Sequence, residues 1–199
     1  GISDREGFEV YATDIESLGL LGSKAVLHMP EGSCPIEISL PGIHMVINAT
    51  AAALVGRLLG LSLEEIHAGI HNVTPVGGRS NLIKTKDKLV IDDCYNANPV
   101  SMKAAIDLLA TATDRKVAIL GDMCELGEKE DSLHAEVGAY AVEQGIDAVY
   151  CVGTLSKAMY DAALEAYDGS QDVRYFADRD ELMESLPDLL APNDTILVK

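Results

Sequence analysis

Three features that would assign a function at once are missing from this sequence of 199 residues. Its four cysteines form no Cys-x-x-Cys pair, which excludes the common zinc and redox spacings and is typical of reduced thiols in a cytosolic protein. No apolar run approaches the roughly 20 residues of a membrane span, and no signal peptide is recognisable. Neither Gly-x-x-x-x-Gly-Lys-Ser/Thr nor Gly-x-Gly-x-x-Gly occurs, so the chain lacks the glycine-rich loops that hold a triphosphate or a dinucleotide.

Basic residues are also scarce. The chain has 15 Lys and Arg against 32 Asp and Glu, a net charge of −17, and both the first 73 residues and the remainder are acidic. A surface of this sign argues against nucleic acid and anionic membranes as partners. A phosphate ligand would therefore have to be held by local amides, an arginine or a metal. The hydrophobic content of 48% predicts a compact soluble protein.

From about residue 88 onward, apolar strands alternate with amphipathic helices. This alternation predicts a Rossmann-like α/β domain, with a mostly parallel sheet flanked by helices and right-handed crossovers. The predicted strands are Lys88–Asp92, Lys116–Gly121, Ala148–Gly153, Val173–Phe176 and Thr195–Val198. The predicted helices are Pro99–Thr113, Glu130–Gln144, Leu155–Tyr167 and Arg179–Leu190.

The first 73 residues follow a different pattern. Phe8–Leu18 and Lys24–Leu40 predict the strands of a β meander, and two helices follow, one over His44–Leu59 and one that begins at Ser62 with a capping box to Glu65. Strands and helices do not alternate here, so residues 1–73 read as the tail of a domain. Residues 74–80 are the predicted hinge and 81–199 the second domain. The opening GISDREGFEV and the end inside an apparent strand suggest a fragment of a longer protein.

The segment DDCYNANPVSM, residues 92–102, is the most informative part of the sequence. It follows the apolar run Leu89–Ile91 and precedes a helix, so its polar side chains crowd at the carboxyl end of a strand, where open α/β sheets bind ligands. The alternative reading is a turn rich in turn formers, with Asn98 as the N-cap and Pro99 at the first helical position. Both readings are compatible with the composition, and the order of the residues favours a ligand site.

That order resembles the Mur ligase family, in particular its D-Ala-D-Ala-adding members. Four further segments carry the resemblance in the same order along nearly the whole chain: LPGIHMVINATAA (40–52), PVGGR (75–79), GDMCELG (121–127) followed by His134 and Val137-Gly138, and the closing ILVK (196–199). The resemblance implies that residues 1–73 are the C-terminal part of a central ATP-binding domain. It also implies that residues 81–199 are the Rossmann-like C-terminal domain.

The resemblance implies a cytoplasmic, monomeric ligase of peptidoglycan biosynthesis. Such an enzyme would use ATP and Mg²⁺ to convert the carboxylate of UDP-MurNAc-tripeptide into an acyl phosphate, which the amine of D-Ala-D-Ala then attacks. In the family the P-loop and the metal ligands lie upstream of the segments found here. No catalytic or metal-binding residue is therefore predicted in this chain, and the chain alone is predicted to be inactive.

ATP-binding residues are predicted from the same motifs. Arg79 follows two glycines, and a guanidinium there can reach a phosphate or a ribose, although a surface arginine is the alternative. By resemblance, Asp93 bonds the ribose, with Asp92 as its rival, and Tyr95 and Asn96 contact the nucleotide or the substrate.

The helix after LPGI supplies two further predicted ATP contacts. His44 and Asn48 are four residues apart and share one helix face. The resemblance places Asn48 in the adenine pocket. The family motif has a second asparagine directly after the histidine, whereas this chain has Met45. A structural role for His44 at the start of the helix is an equal alternative.

The remaining candidates are predicted to bind substrate. Most lie in or directly after loops that follow strands, and the resemblance implies that the incoming amine is held near Thr154 and Ser156. The predicted set is Asn98, Asp122, Glu125, His134, Thr154, Ser156 and Lys199. For Asn98 the alternative is helix capping, and for Glu125 it is electrostatic stabilisation of a helix start.

Two alternatives to the main hypothesis stay open. The first is another ligase of the same chemistry, either a different Mur ligase or a folylpolyglutamate synthase. The order YNANPxSM argues against the diaminopimelate- or lysine-adding ligase, in which a DYAHTP-like segment is expected. The second is a non-catalytic nucleotide-binding α/β module, which would bind a mononucleotide near Asp93 without a P-loop.

Overall fold

A computed structural model describes residues 8–199, and the chain divides after Pro75 into two compact units. Predictions that concern residues 1–7 lie outside the described residues. In the first unit, three antiparallel strands pair in the order β1-β2-β3: β1 (Tyr11–Ser17), β2 (Ser23–Met29) and β3 (Gly32–Ile38). Helices α1 (His44–Leu58) and α2 (Leu63–His71) follow. The predicted meander followed by two helices is confirmed.

The start of α2 is fixed by its first residues. Ser62 Oγ accepts the backbone N–H of Glu65 at 3.2 Å, and Glu65 Oε2 accepts the backbone N–H of Ser62 at 2.8 Å. This reciprocal arrangement satisfies two of the amide groups that a helix start leaves unpaired, and it confirms the predicted capping box. The sheet and the two helices then bury one continuous core, to which Leu27, Ile38 and Val46 contribute.

The second unit is built on a six-stranded sheet in the order β4-β5-β9-β6-β7-β8. Its strands are β4 (Asn81–Lys84), β5 (Leu89–Asp92), β6 (Lys116–Leu120), β7 (Ala148–Val152), β8 (Asp172–Phe176) and β9 (Thr195–Val198). Its helices are α3 (Pro99–Ala110), α4 (Glu130–Glu143), α5 (Ser156–Ala166) and α6 (Arg179–Leu189). All pairs are parallel except β4 with β5, so the predicted mostly parallel sheet is confirmed.

The strand order explains where the helices lie. The chain advances in one direction from β5 through β6 and β7 to β8, and then returns to place β9 between β5 and β6. Right-handed crossovers put α3, α4 and α5 on one face for the advance and α6 on the other face for the return. Accordingly, α6 buries Leu182 and Leu189 against Val117, Ile119 and Tyr150, whose side chains point to one side of the sheet.

Strand β4 is the element that the sequence did not predict. It has only four residues, and the pair Leu82-Ile83 is its only apolar content. Its pairing with β5 across the polar turn from Thr85 to Lys88 creates the strand, with Thr85 N donating to Lys88 O at 2.9 Å. Because β4 is antiparallel to β5, the residues just before it lie at the carboxyl ends of the parallel strands. This position matters for the site described below.

A buried polar cluster lies at the opposite, amino-terminal ends of the strands. The side chain of Asp194 is fully buried and accepts Arg115 Nη1 on Oδ2 at 2.8 Å. Arg115 also donates to Leu189 O at 3.2 Å and to Tyr150 Oη at 3.4 Å. Burial is the main cause that raises the pKa of Tyr150. This cluster ties the loop before β9 to the start of β6.

No helix within residues 8–199 is both long enough and apolar enough to cross a membrane.

Candidate functional site

The loops that follow β5, β6 and β7 meet Lys199, which follows β9, at one edge of the sheet, which we call the carboxyl edge. These strands are parallel neighbours, so their carboxyl ends lie side by side. The backbone joins the loops directly. Asp93 N donates to Val198 O at 3.0 Å, and Gly121 N donates to Lys199 O at 2.7 Å. Within the second unit, the carboxyl edge collects every predicted site residue from Arg79 onward except His134, which lies in α4.

The segment Gly78–Ser80 is bonded to the loop after β5. Gly78 N donates to Asp92 Oδ2 at 2.9 Å, and Tyr95 N donates to Gly78 O at 2.9 Å. Ser80 N and Ser80 Oγ both donate to Asp93 Oδ1, at 2.7 and 3.2 Å. Gly78 has φ +74°, and a Cβ there would lie 3.3 Å from Tyr95, so this close approach requires glycine. Residues 78–80 of the predicted hinge are thus part of the second unit.

Arg79 is held at the carboxyl edge by an aromatic ring. Its guanidinium carbon lies 4.0 Å above the centroid of the Tyr95 ring, and both side chains are exposed. Within residues 8–199 no carboxylate lies within ion-pair distance of Arg79. A guanidinium stacked on tyrosine keeps its donors in a defined place. In a protein with a net charge of −17, this is an accessible cation with free donors for an anion.

Both candidate aspartates already have partners. Asp93 Oδ1 accepts Ser80, and Asp93 Oδ2 accepts Lys199 Nζ at 2.5 Å. Asp92 Oδ1 accepts the thiol of Cys94 at 3.0 Å. This bond and the one from Gly78 lower the pKa of Asp92, against a smaller effect of burial. Both carboxylates can still accept a further hydrogen bond, so the geometry does not choose between them for a ligand hydroxyl.

Lys199 corrects one sequence prediction. Its side chain is only 3% exposed, and its ammonium donates to Asp93 Oδ2, to Asp93 O at 3.4 Å and to Asn96 O at 3.2 Å. An ammonium has three protons, and all three are directed into the chain. Lys199 therefore holds the loop after β5 and does not face a substrate, contrary to its predicted role.

The two asparagines of this loop differ in availability. Asn98 Oδ1 accepts Ser101 N at 2.9 Å, and Ser101 Oγ accepts Asn98 N at 3.1 Å, which is a capping box at the start of α3. The capping alternative is therefore the one that the structure shows for Asn98 Oδ1, and a substrate contact through the amide nitrogen of this exposed residue stays a prediction. Asn96 is exposed, and within residues 8–199 its only side-chain bond is from Ala97 N to its Oδ1 at 2.9 Å, so its amide nitrogen is available to a ligand.

In the loops after β6 and β7, two predicted residues bond to each other. Asp122 Oδ1 accepts Ser156 N at 2.8 Å and Ser156 Oγ at 2.7 Å, and Ser156 is fully buried. A Cβ at Gly153 would lie 2.5 Å from Asp122 Oδ1, so this glycine leaves room for the carboxylate. Buried Ser156 thus does not face a substrate, contrary to its predicted role, whereas Asp122 satisfies the amide end of α5 through Oδ1 alone and its predicted substrate contact stays a prediction.

His134 is also committed inside the protein. Its side chain is fully buried, Met123 N donates to Nε2 at 2.9 Å, and Nδ1 lies 2.8 Å from Glu130 O. These bonds assign the neutral tautomer with the proton on Nδ1. His134 holds the loop after β6 and has no nitrogen left for the predicted substrate contact. In contrast, Glu125 and Thr154 are exposed, and Glu125 adopts φ +64° at the tip of its loop.

The first unit contains the other two predicted ATP contacts. His44 is the first residue of α1 and is half-buried. Asn48 is exposed, and its Nδ2 lies 3.6 Å from the sulfur of Met45, a weak contact that a ligand could displace. Both side chains lie within the first two turns of α1.

The residues present fit part of a nucleotide but not a magnesium site. Within residues 8–199 no group of three or more His, Cys, Asp or Glu side chains is arranged to hold a metal ion. Mg²⁺ prefers several oxygen ligands in octahedral geometry, which the described residues do not offer. Arg79 and the strand-end carboxylates, in contrast, offer an exposed cation and acceptors for hydroxyl groups, as a ribose phosphate requires.

Comparison with known proteins identifies this arrangement. The family model described as "Mur ligase, glutamate ligase domain" matches residues 78–199. The chain belongs to the Mur ligase family. It is 39% identical over 181 residues to the UDP-N-acetylmuramoyl-tripeptide–D-alanyl-D-alanine ligase of Escherichia coli, with 89% of this chain and 38% of that protein covered. It is 35% identical over 165 residues to the protein of the same name from Bacillus subtilis, with 81% and 36% covered.

Solved structures agree with these relatives. MurF from Acinetobacter baumannii superimposes with a TM-score of 0.85 at 34% identity, over 97% of this chain and 42% of that one. The present Mur ligase chain therefore spans about two fifths of the length of the relatives that it matches.

The sequence missed two contributors to the carboxyl edge of this Mur ligase domain. Ser80 supplies two hydrogen bonds to Asp93, and Cys94 supplies one to Asp92. A serine directly before β4 is a recognisable signal only when β4 itself is predicted, because β4 brings Ser80 to this edge.

Cys94 leads to a chemical prediction. The hydrogen bond to the Asp92 carboxylate is the main cause that raises the pKa of the Cys94 thiol. Since the thiolate is the reactive form, we expect Asp92→Asn to speed alkylation of Cys94 by iodoacetamide at pH 8 by about three- to tenfold. Cys151 is fully buried and its pKa is raised to about 12, so it is expected to stay unmodified.

The measurement is peptide mass spectrometry over time. The exposed Cys124 is the internal control, because its rate should not depend on Asp92. Equal Cys94 rates in the two proteins would contradict the assignment of the Asp92–Cys94 bond.

Proposed function

We propose that this chain is part of an ATP-dependent ligase that joins D-Ala-D-Ala to UDP-MurNAc-tripeptide in peptidoglycan biosynthesis. The observation that carries the proposal is the 39% identity over 181 residues to a relative named for this activity. The carboxyl edge supports it with an exposed arginine, two strand-end carboxylates and exposed polar side chains in neighbouring loops. In the proposed enzyme the chain acts in the cytoplasm as a monomer.

One side of the carboxyl edge is proposed to hold ATP. Arg79, kept in place by Tyr95, would contact a phosphate or the ribose, because its side chain is exposed and forms no ion pair with a carboxylate of the described residues. Asp93 or Asp92 would accept a ribose hydroxyl, and the free amide nitrogen of Asn96 would donate to the nucleotide. When bound, ATP supplies the phosphoryl group that activates the tripeptide carboxylate.

The other side of the edge is proposed to hold the dipeptide. Glu125 and Thr154 are its exposed polar side chains, and a carboxylate and a hydroxyl suit an ammonium group and a peptide. Ser156 and His134 would act only by fixing the loops that carry them, and Asp122 would fix its loop through Oδ1. Closure of such a site would exclude water from the reactive acyl phosphate.

The first unit is proposed to be the C-terminal part of the central ATP-binding domain. His44 and Asn48, at the start of α1, would contribute to the adenine pocket. The metal ligands and the glycine-rich phosphate-binding loop would be supplied by residues outside this chain, because the sequence has no Gly-x-x-x-x-Gly-Lys-Ser/Thr and the described residues offer no metal cluster. Residues 1–199 alone are therefore expected to release no phosphate from ATP.

The test measures phosphate release by the full-length protein that contains this chain. ATP, Mg²⁺ and UDP-MurNAc-tripeptide are supplied, with D-Ala-D-Ala or a single free amino acid as the amine. Release that requires the dipeptide supports the proposal. Release with glutamate and a folate substrate would instead favour a folylpolyglutamate synthase. ATP binding without turnover would favour a non-catalytic module.

Asp93 gives the matching mutational prediction. We expect Asp93→Asn in the full-length protein to raise KM for ATP by about tenfold or more, because it removes a charged acceptor and its ion pair. The control is Asp188→Asn, an exposed residue on α6, which should leave KM unchanged. An unaltered KM for ATP in the Asp93 variant would exclude Asp93 from nucleotide binding.

A further inference from the structure

Lys199 occupies a junction between the two candidate ligand loops. Its backbone N–H donates to Ile119 O at 3.0 Å, and its carbonyl accepts Gly121 N at 2.7 Å, which fixes it to the end of β6. Its side chain extends the other way, across the edge, to the loop after β5. Lys199 therefore connects the loop after β5, which is proposed to hold the nucleotide, to the end of β6. The loop that follows β6 is proposed to hold the amine.

The three ammonium contacts bind both ends of the segment Asp93–Asn96. Asp93 receives two of them, on its carboxylate and its carbonyl, and Asn96 receives the third on its carbonyl. The side chain of Lys199 is 3% exposed, so its ammonium group is desolvated. Its charge is therefore stabilised by these three acceptors and not by water. The two exposed residues between these ends, Cys94 and Tyr95, must follow the conformation that Lys199 fixes.

That conformation also controls Arg79. Tyr95 lies inside the fixed segment, accepts the guanidinium of Arg79 on its ring and donates its N–H to Gly78 O. Asp93, with its second oxygen, holds Ser80 on the other side of Arg79. The accessible cation thus depends on a chain of contacts that begins at Lys199.

We propose that Lys199 is a positioning residue that holds segment Asp93–Asn96, and through it Arg79, in the arrangement that receives the nucleotide. This proposal rests on the proposed function for the identity of the ligand, but its contacts are independent of turnover. Lys199 touches no ligand in this proposal. It acts through Asp93 and through the backbone of the loop.

The test uses the full-length protein with Lys199→Met, which keeps the length of the side chain and removes the charge. Hydrogen–deuterium exchange of the peptide that contains Cys94–Asn98 is expected to be about tenfold faster than in the unaltered protein, because the bond from Tyr95 N to Gly78 O opens more often. ADP binding by calorimetry is expected to weaken by about tenfold. The matched control is Lys116→Met, which removes an ion pair with Asp147 at the opposite edge and should change neither quantity.

A double variant separates positioning from general loss of structure. Lys199→Met leaves the Asp93 carboxylate without its cation, so Lys199→Met/Asp93→Asn removes both charges and keeps the site neutral. Because Lys199 acts in part through Asp93, the double variant is expected to bind ADP more tightly than the product of the two single effects predicts. Lys199→Arg, which restores the charge, is expected to recover part of the loss. In active full-length protein, Lys199→Met should raise KM for ATP at least about tenfold more than it raises KM for D-Ala-D-Ala.

Unchanged exchange in Cys94–Asn98, or effects of Lys199→Met and Asp93→Asn that multiply in the double variant, would overturn the proposal. A full-length protein without dipeptide-dependent phosphate release would contradict the proposed function alone. The exchange and ADP-binding results would still decide the role of Lys199, because neither requires turnover.

Discussion

Arg115→Met is expected to lower the free energy of unfolding of the second unit by about 3–5 kcal/mol, because it leaves a buried carboxylate without its cation. Asp194 has a fully buried side chain, and its Oδ1 has no hydrogen-bond partner within the described residues. Its Oδ2 is shared by Arg115 at 2.8 Å and by Ala191 N at 2.7 Å. Without the guanidinium, one amide would be left to stabilise a charge that water cannot reach.

Urea denaturation at pH 7 measures the effect. Arg179→Met is the matched control, since Arg179 and its partner Asp180 are both more than 80% exposed, and it should change stability by no more than about 0.5 kcal/mol. The double variant Arg115→Met/Asp194→Asn should recover most of the loss, because asparagine is uncharged and still accepts Ala191 N. A single variant as stable as the unaltered protein would show that the buried carboxylate does not need Arg115.

The sequence predicted the parallel sheet because its strands are short apolar runs separated by helices with clear starts. Asn98-Pro99 marks the start of α3, and the structure begins the helix there. Strand β4 was missed because it depends on pairing with β5, and two apolar residues in four carry too weak a pattern. Local sequence signals were therefore sufficient for elements that depend on their own residues, such as α3. They were insufficient for β4, which forms only by pairing with another strand.

The same distinction between local signals and tertiary contacts applies to the candidate site. The sequence placed polar residues at strand ends, and the structure brings those of the second unit to one edge. It could not tell which side chains turn inward. Asp122 and His134 are polar residues near a strand end, as Glu125 is, yet the first two satisfy backbone amides and only Glu125 is exposed. The direction of a side chain depends on neighbours that are distant in sequence, such as Ser156 for Asp122.

Gly138 shows how a contact outside the site supports it. A Cβ at this position in α4 would lie 1.9 Å from Met159 O and 2.7 Å from its carbonyl carbon, both backbone atoms of α5. Rotation of a side chain cannot relieve such overlap, so α4 and α5 would have to separate. Alanine is the better helix former by about 1 kcal/mol, so only this packing explains why glycine is required here.

We expect Gly138→Ala to lower the free energy of unfolding of the second unit by about 3 kcal/mol or more, since overpacking against backbone exceeds the gain in helix propensity. The matched control is Gly69→Ala in α2, where a Cβ would meet no atom within 4 Å and should be neutral or stabilise by up to about 1 kcal/mol. Both are measured by urea denaturation. Equal stability of the two variants would show that α4 and α5 do not approach this closely.

The consequence of Gly138→Ala should reach the carboxyl edge. Helix α5 begins at Ser156, whose N–H and hydroxyl both donate to Asp122 Oδ1. If α5 moves away from α4, this pair is stretched, and the loop after β6 loses an anchor. In the proposed ligase we therefore expect the folded fraction of the variant to show a raised KM for D-Ala-D-Ala, with a smaller change in KM for ATP. Equal changes in both constants would indicate that the α4–α5 contact supports only the stability of the unit and not the geometry of the amine side.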